Sequence, residues 1–350
     1  MNIKEILTKR LDFIDSLKGV AIFLMVWGHS IQYLRDGADF IHNPVFEIIY
    51  SFHMPLFFLM SGFFFNSSLK LNLKDFLKGK FLQLLLPVIT WAALYWIVQM
   101  VHENKFDLMA YTHLQVRNVE WPFWFLRELF ISYVLVYVAY KIFKNKWVVY
   151  IISISIVLIA PYCGMQRFLL PLFLAGIFLK DNYPFFLKHI NWVILVSGVV
   201  FLVSLFFWNG EYTIYRTPFE QLIDWKTLSF TFINLDIALF RLLIGLAGSV
   251  FFFLLFQMYY KDNWINIQFR RIGIQTLSIY ILQYTLLEKI ANRFVDFSMV
   301  NSWMYNLVIT PLFSLLILVV CVWIRDMMSK RKYLLLILFG CLIKKKEPVL

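Results

Sequence analysis

Charge is what this sequence has least of. Only 15% of its 350 residues are Asp, Glu, Lys or Arg, against about 25% in an average soluble domain, while 61% are apolar. So few charges cannot cover a water-facing surface, which excludes a soluble enzyme and predicts a polytopic membrane protein. Cysteine is scarce too. Cys163, Cys321 and Cys341 stand apart, in or beside apolar runs, which excludes a disulfide framework and a metal-spaced cluster, so no metal is expected. There is no internal repeat, low-complexity tract or Gly/Ser linker, so residues 1–350 read as one membrane domain, with a core at 10–325 and a basic tail at 325–350. A cleavable signal is absent as well. Asp12 and Asp15 precede the first apolar run and no small-residue cleavage site follows it, so that run is expected to remain as the first transmembrane helix.

What the chain does have is apolar length. Runs lie at 14–34, 44–65, 81–101, 123–140, 147–161, 166–180, 190–208, 235–260, 272–291 and 302–324, predicting an all-α bundle of about ten transmembrane helices. The fifth and sixth are near the lower limit for spanning, which is about 17 residues. Ten spans put both termini on one side. With the termini inside, the inner segments and tail hold 22 Lys and Arg and the outer loops 8, so both ends are expected in the cytoplasm, across a bacterial inner membrane. The net charge of +12 then serves topology and anionic lipid rather than nucleic acid. Asn66-Ser67-Ser68 has the form of a glycosylation acceptor but falls on the inner side. Leu334–Ile343 is too short to span and reads as an interfacial helix or a buried tail. Outer loops 102–122 and 209–234 are rich in Trp, Tyr, Glu and Asp. Such residues suit sugar faces, and Trp and Tyr also gather at membrane interfaces for lipid reasons.

Two histidines lie inside these runs, His29 in the first and His53 in the second. An ionisable group at that depth is costly unless it has a partner or a task. At 1.5 Å per residue, the distance from Lys18 puts His29 roughly 16 Å deep, and that from Pro44 puts His53 roughly 14 Å deep from the other side. In a core about 30 Å thick, both approach the midplane. The Lys18–His29 spacing also returns to within roughly 20° of one helix face. Asp15 lies about 40° from that stripe, at a pairing distance from Lys18. Pro55 denies a hydrogen bond to the Ser51 carbonyl and predicts a kink beside His53. Ser61-Gly62 offers a close-approach face. The histidines read either as hydrogen-bonded glue between helices or as a site. Asp15 and Lys18 likewise read as a surface ion pair or as part of a stripe opening to the cytoplasm. A neutral imidazole can take a proton from an attacking hydroxyl, and a cation at the inner mouth can hold a phosphate-bearing donor. Arg127-Glu128 reads as a local pair, and Arg241, inside the eighth run, needs a partner or a wet cavity.

These residues carry a resemblance. Asp12-Phe-Ile-Asp15-Ser-Leu-Lys18-Gly19, continuing to Trp27-Gly28-His29, resembles the opening signature of the membrane-bound acyltransferase-3 family. So does Phe52-His53-Met54-Pro55-Leu56-Phe57-Phe58-Leu59-Met60-Ser61-Gly62-Phe63. Weaker matches are Pro87 with Trp91, Trp124-Phe125-Leu126, Leu170-Pro171-Leu172-Phe173 with Gly176, and Gly273 with Ser278-Ile279-Tyr280. The resemblance implies transfer of an acyl group, usually acetyl from acetyl-CoA, to a hydroxyl of a cell-envelope carbohydrate or lipid-linked glycan. It maps the family's basic-x10-His motif onto Lys18 and His29, and its His-Met-Pro segment onto His53, Met54 and Pro55. His29 is then the general base or transient acyl carrier, His53 orients it or polarises the thioester, and Lys18 with Asp15 serves the acyl-CoA. Arg241, Ser61 and Gln283 are further cavity candidates. The chain departs from the pattern twice. Lysine replaces the commoner arginine and forfeits bidentate phosphate binding, and Gln283 stands where the ninth helix often ends in histidine. A rival reading is an oligosaccharide transporter or flippase using the histidines as a proton relay. It is weakened because Glu47, Glu128, Asp236 and Glu288 fall near span ends rather than mid-membrane. A third is a scaffold, in which both histidines are dispensable.

Overall fold

The computed structural model describes residues 12–35, 39–103, 123–214 and 216–341. Among them the regular structure is helical apart from one two-stranded antiparallel ribbon, Ile223–Asp224 with Ser229–Phe230. In chain order the helices are α1 (Asp12–Tyr33), α2 (Pro44–Phe63), α3 (Leu73–Lys80), α4 (Leu86–Glu103), α5 (Trp124–Ile142), α6 (Lys146–Ile159) and α7 (Gly164–Asp181). They continue as α8 (Tyr183–Lys188), α9 (Ile190–Phe207), α10 (Leu235–Tyr259), α11 (Trp264–Ile274), α12 (Thr276–Tyr284), α13 (Thr310–Met327) and α14 (Lys332–Phe339). Wider π turns join α3 to α4 at Phe81–Leu85, extend α12 over Thr285–Ala291 and lead into α13 over Tyr305–Ile309.

Six helical stretches are long and apolar enough to cross a membrane: Asp12–Tyr33, Pro44–Lys70, Leu73–Val98, Ile190–Phe207, Leu235–Tyr259 and Ser302–Lys330. The protein is therefore a multi-pass, all-α membrane protein. The other four predicted spans also form helix, with interruptions that their residues explain. α5 carries Arg127, Glu128 and Lys141, and α7 carries Arg167, Lys180 and Asp181. α6 has only 14 residues, and the 272–291 run breaks at Gln275 before α12 starts.

α1 and α2 form the centre. Two-thirds of the central window of each is buried, against 17% for Ile190–Phe207, whose Leu195, Val199, Leu202 and Phe206 face outward. One face of α1, with Ile22, Met25 and Val26, enters a core built with α5, α7, α12 and α13. The other, with Phe13, Ile14, Leu17 and Ala21, enters a second core built with α9 and α10. Small residues bring the central helices close to their neighbours. A Cβ on Gly62 would strike the Phe173 carbonyl of α7, and one on Gly176 would strike that of Leu59. Gly19 and Gly273 make the same reciprocal contact between α1 and α11, against Phe269 and Asp15. α2 runs unbroken through Pro55, whose ring packs where Gly245 of α10 leaves room.

The end of the chain folds back onto this frame. The Trp91 Nε1–H donates to the Leu338 carbonyl at 2.8 Å, Phe339 is fully buried, and Gly340 adopts φ 62° where a Cβ would meet the Gln83 carbonyl. Of the two readings of the short apolar run, α14 is thus a docked tail. The predicted sugar-facing loop 102–122 falls, from 104 onward, outside the described residues.

Candidate active site

α1, α2 and α12 each contribute one helical stripe to a cavity of about 350 Å³. Positions three or four apart share a helix face, so Lys18, Ile22 and Met25 line it from α1, and Phe64, Ser61, Phe57 and Met54 from α2. Thr276, Leu277 and Tyr280 line it from α12. Continued by one step away from Lys18, the three stripes reach His29, Tyr50 and Gln283. Two of these three residues are hydrogen-bonded to each other. The His29 Nδ1 lies 2.9 Å from the Gln283 Oε1. Gln283 points its amide nitrogen at the Tyr280 carbonyl, 3.3 Å away, which turns its oxygen toward the imidazole. The Nδ1–H therefore donates to Gln283, and the His29 Nε2 keeps the basic lone pair.

His53 is fully buried and donates its Nδ1–H to the Ile49 carbonyl at 2.7 Å. Tyr50 packs on His53 and on α1 at Gly28, the residue before His29. Its ring packs where a Cβ on Gly28 would lie, and it meets His53 edge to face with centroids 4.6 Å apart. Gly28 is thus small so that Tyr50 can seat against α1 beside His29.

The far end of the cavity is cationic. Lys18 is 3.4 Å from the Asp15 carboxylate and lies 5.0 Å over the Phe64 ring. Lys80, at the end of α3, lies 3.4 Å over the Tyr133 ring of α5 and lines the same cavity with Gln83, Ser67 and Ser68. Asp15 is buried and acts through Lys18.

A narrow slot of about 30 Å³ lies on the other side of α2, lined by Tyr50, Met54, Pro55, Trp124, Trp208 and Arg241 among others. Met54 alone among the described residues lines both spaces. Arg127 pairs with Glu128 at 2.7 Å. Among the described residues no group of His, Cys, Asp and Glu is arranged to hold a metal ion.

Of the residues singled out from sequence, Lys18 and Ser61 line the larger cavity and Arg241 the slot, while His29, His53 and Gln283 line neither and Gln283 holds His29. Lys80, Tyr50 and Trp208 were missed as site residues. Lys80 counted only as an inward-side charge, and its place just before the third apolar run was the one available signal. If Gln283 orients His29, replacing it with leucine lowers kcat about tenfold and leaves the donor KM unchanged, since an orienting group acts on the base rather than on binding. Steady-state kinetics on the purified variant check this, and a raised donor KM at unchanged kcat contradicts it.

A family model described as an acyltransferase domain matches residues 11–326. The nodulation protein NolL of Mesorhizobium japonicum is 32% identical over 216 residues, which cover 60% of this chain and 52% of that protein. The nodulation protein NolL of Sinorhizobium fredii is 30% identical over 179 residues, covering 49% of this chain and 46% of its own length. The chain thus spans about half the length of these relatives. No solved structure matches it.

Proposed function

The chain belongs to the acyltransferase-3 family, and from that membership we propose that it transfers acetyl from acetyl-CoA to a hydroxyl of a cell-envelope polysaccharide or glycan. The observation that carries the reading is a cavity with two lysines at one end, lined by the α1 stripe that continues one step beyond it to His29, whose Nδ1 is held by Gln283. Lys18 and Lys80 hold the phosphates of the donor, and the thioester arm lies along Met25, Met54 and Tyr280 toward His29. At about 350 Å³ the cavity suits such an arm, within the usual range of about 300–1,000 Å³ for ligand pockets. The nucleotide remains at the mouth.

The His29 Nε2 takes the proton of the acceptor hydroxyl as its oxygen bonds to the thioester carbonyl carbon. The tetrahedral intermediate then collapses, the C–S bond breaks, and the imidazolium returns the proton to the departing thiolate. The products are an acetyl ester and free CoA. His53 has its one N–H committed to Ile49, so a neutral His53 has no proton to offer a thioester. We assign it a positioning role through Tyr50. In this reading the chain crosses the inner membrane about ten times with both termini in the cytoplasm, so the Lys18 end meets acetyl-CoA and the opposite end meets the glycan.

The test uses the full chain in liposomes with labelled acetyl-CoA and glycans extracted from the envelope of the same cells. Mass spectrometry should find glycan heavier by one acetyl group, and unlabelled glycan would overturn the proposal. In the same assay, Lys18→Ala and Lys80→Ala should each raise the acetyl-CoA KM by about tenfold, the worth of one charge-assisted phosphate contact, with kcat little changed. Retention of the parent KM in both variants would remove the lysines from the donor site.

A further inference from the structure

The slot beside α2 is lined by two residues that each carry a donor atom without a partner among the described residues. Arg241 is 2% exposed and Trp208 8%. The guanidinium spends Nε on the Tyr212 carbonyl at 2.7 Å and Nη2 on the Thr217 carbonyl at 2.6 Å. Its Nη1 and the Trp208 Nε1 have no hydrogen-bond partner among the described residues. Folded proteins satisfy nearly all such buried groups, so two orphans on residues that line one slot call for an explanation. Neither atom can accept a hydrogen bond, so their complement is an oxygen with lone pairs.

The charge narrows the class. Among the described residues, the groups bonded to Arg241 are the two carbonyls, and no carboxylate pairs with it. A buried guanidinium in a spanning helix without a counter-charge is costly, and an anionic ligand relieves that cost. The size narrows it further. A space of about 30 Å³ has room for about two waters, which matches a carboxylate group and not a sugar ring. The rings of Tyr50, Trp124 and Trp208 make the rest of the wall largely apolar, so only the carboxylate enters and the ring that bears it stays outside.

We propose that this slot is a specificity subsite for the carboxylate of an acidic sugar in the acceptor glycan, held by the Arg241 Nη1–H and the Trp208 Nε1–H. The proposal deepens the acetyl-transfer reading and rests on it for the ligand's being the acceptor. The slot shares Met54 with the donor cavity and Tyr50 with the histidine pair. A uronic residue anchored there presents a neighbouring hydroxyl toward His29.

Binding by the full chain in detergent, measured calorimetrically without acetyl-CoA, tests this independently of transfer. Methyl glucuronide should bind the parent about tenfold more tightly than methyl glucoside, as one charge-assisted contact provides. Trp208→Phe keeps the ring and loses the N–H. It should weaken glucuronide binding by about fivefold, the worth of one neutral hydrogen bond, and leave glucoside and acetyl-CoA binding at parent levels. Arg241→Lys should weaken the glucuronide more. Equal affinity for the two sugars, no binding of either, or an unchanged Trp208→Phe variant overturns the proposal. Tighter binding of a short-chain phosphatidylglycerol than of the glucuronide also overturns it, assigning the slot to a lipid headgroup. If glucuronide binding follows the pattern while glycan is never acetylated, the anion site stands and the transfer reading falls.

Discussion

Replacing His29 with alanine lowers acetyl transfer to glycan by about 10²–10⁴, the usual contribution of a positioned general base. The size of the effect follows from how completely the surroundings define this imidazole. Its Nδ1–H is held by Gln283, whose amide is held in turn by the Tyr280 carbonyl, so the Nε2 lone pair needs no reorganisation before accepting a proton. The cost to folding is small, because the ring is only part-buried and its hydrogen bond is to one side chain. Donor KM and the melting temperature in detergent should therefore stay with the parent while kcat collapses. Adding Gln283→Leu to His29→Ala should reduce the rate no further, because the two residues act as one unit. Transfer by His29→Ala at the parent rate would remove the imidazole from the chemistry.

The largest effect on stability is expected at Gly62 and Gly176. Each is the point where one helix backbone lies against a carbonyl of the other, Gly62 against Phe173 and Gly176 against Leu59. A methyl group there meets main chain rather than the end of a flexible side chain, so relief requires α2 and α7 to separate. Overpacking of a well-packed interior costs about 1–3 kcal/mol, and the rigidity of the obstacle puts both alanine variants at the upper end. Thermal unfolding of the full chain in detergent should show both melting well below the parent. The double variant should fall short of the sum, because the first methyl already opens the seam for the second. Gly79→Ala is the control. A Cβ there meets nothing within 4 Å, and a mid-helix glycine costs about 1 kcal/mol against alanine, so this variant should melt at or above the parent temperature. Unaltered melting of Gly62→Ala would show that the close approach is not required.

What the sequence made legible is whatever a single helix fixes by its own period. The Lys18–Ile22–Met25–His29 stripe follows from 3.6 residues per turn, and three of its four members line the larger cavity. Asp15–Lys18 and Arg127–Glu128 are near neighbours on their helices and pair as spacing alone requires. Ser61-Gly62 marked a close-approach face, and Gly62 is where α2 meets α7. The rest depends on contacts between segments far apart in the chain. Gln283 looked like the loss of a helix-nine histidine, yet it lies against His29, 254 positions away. Lys80 faces the cavity because α3 packs on Tyr133 of α5. Trp208 reads in sequence as one more interfacial aromatic, and only its unmet N–H beside Arg241 separates it from the others. Span length was the least legible property. Charges within α5 and α7 and the break at Gln275 interrupt apolar runs that hydropathy alone joins smoothly.

Met54 has a consequence beyond either space taken alone. It belongs to the wall of the larger cavity and to the wall of the slot, and among the described residues it is the one side chain the two share. A thioether with three rotatable bonds is an adaptable filler for such a place, apolar enough to repel water and flexible enough to swing aside for an acetyl group. Among the described residues it is the single side chain through which a change in one space can be felt in the other.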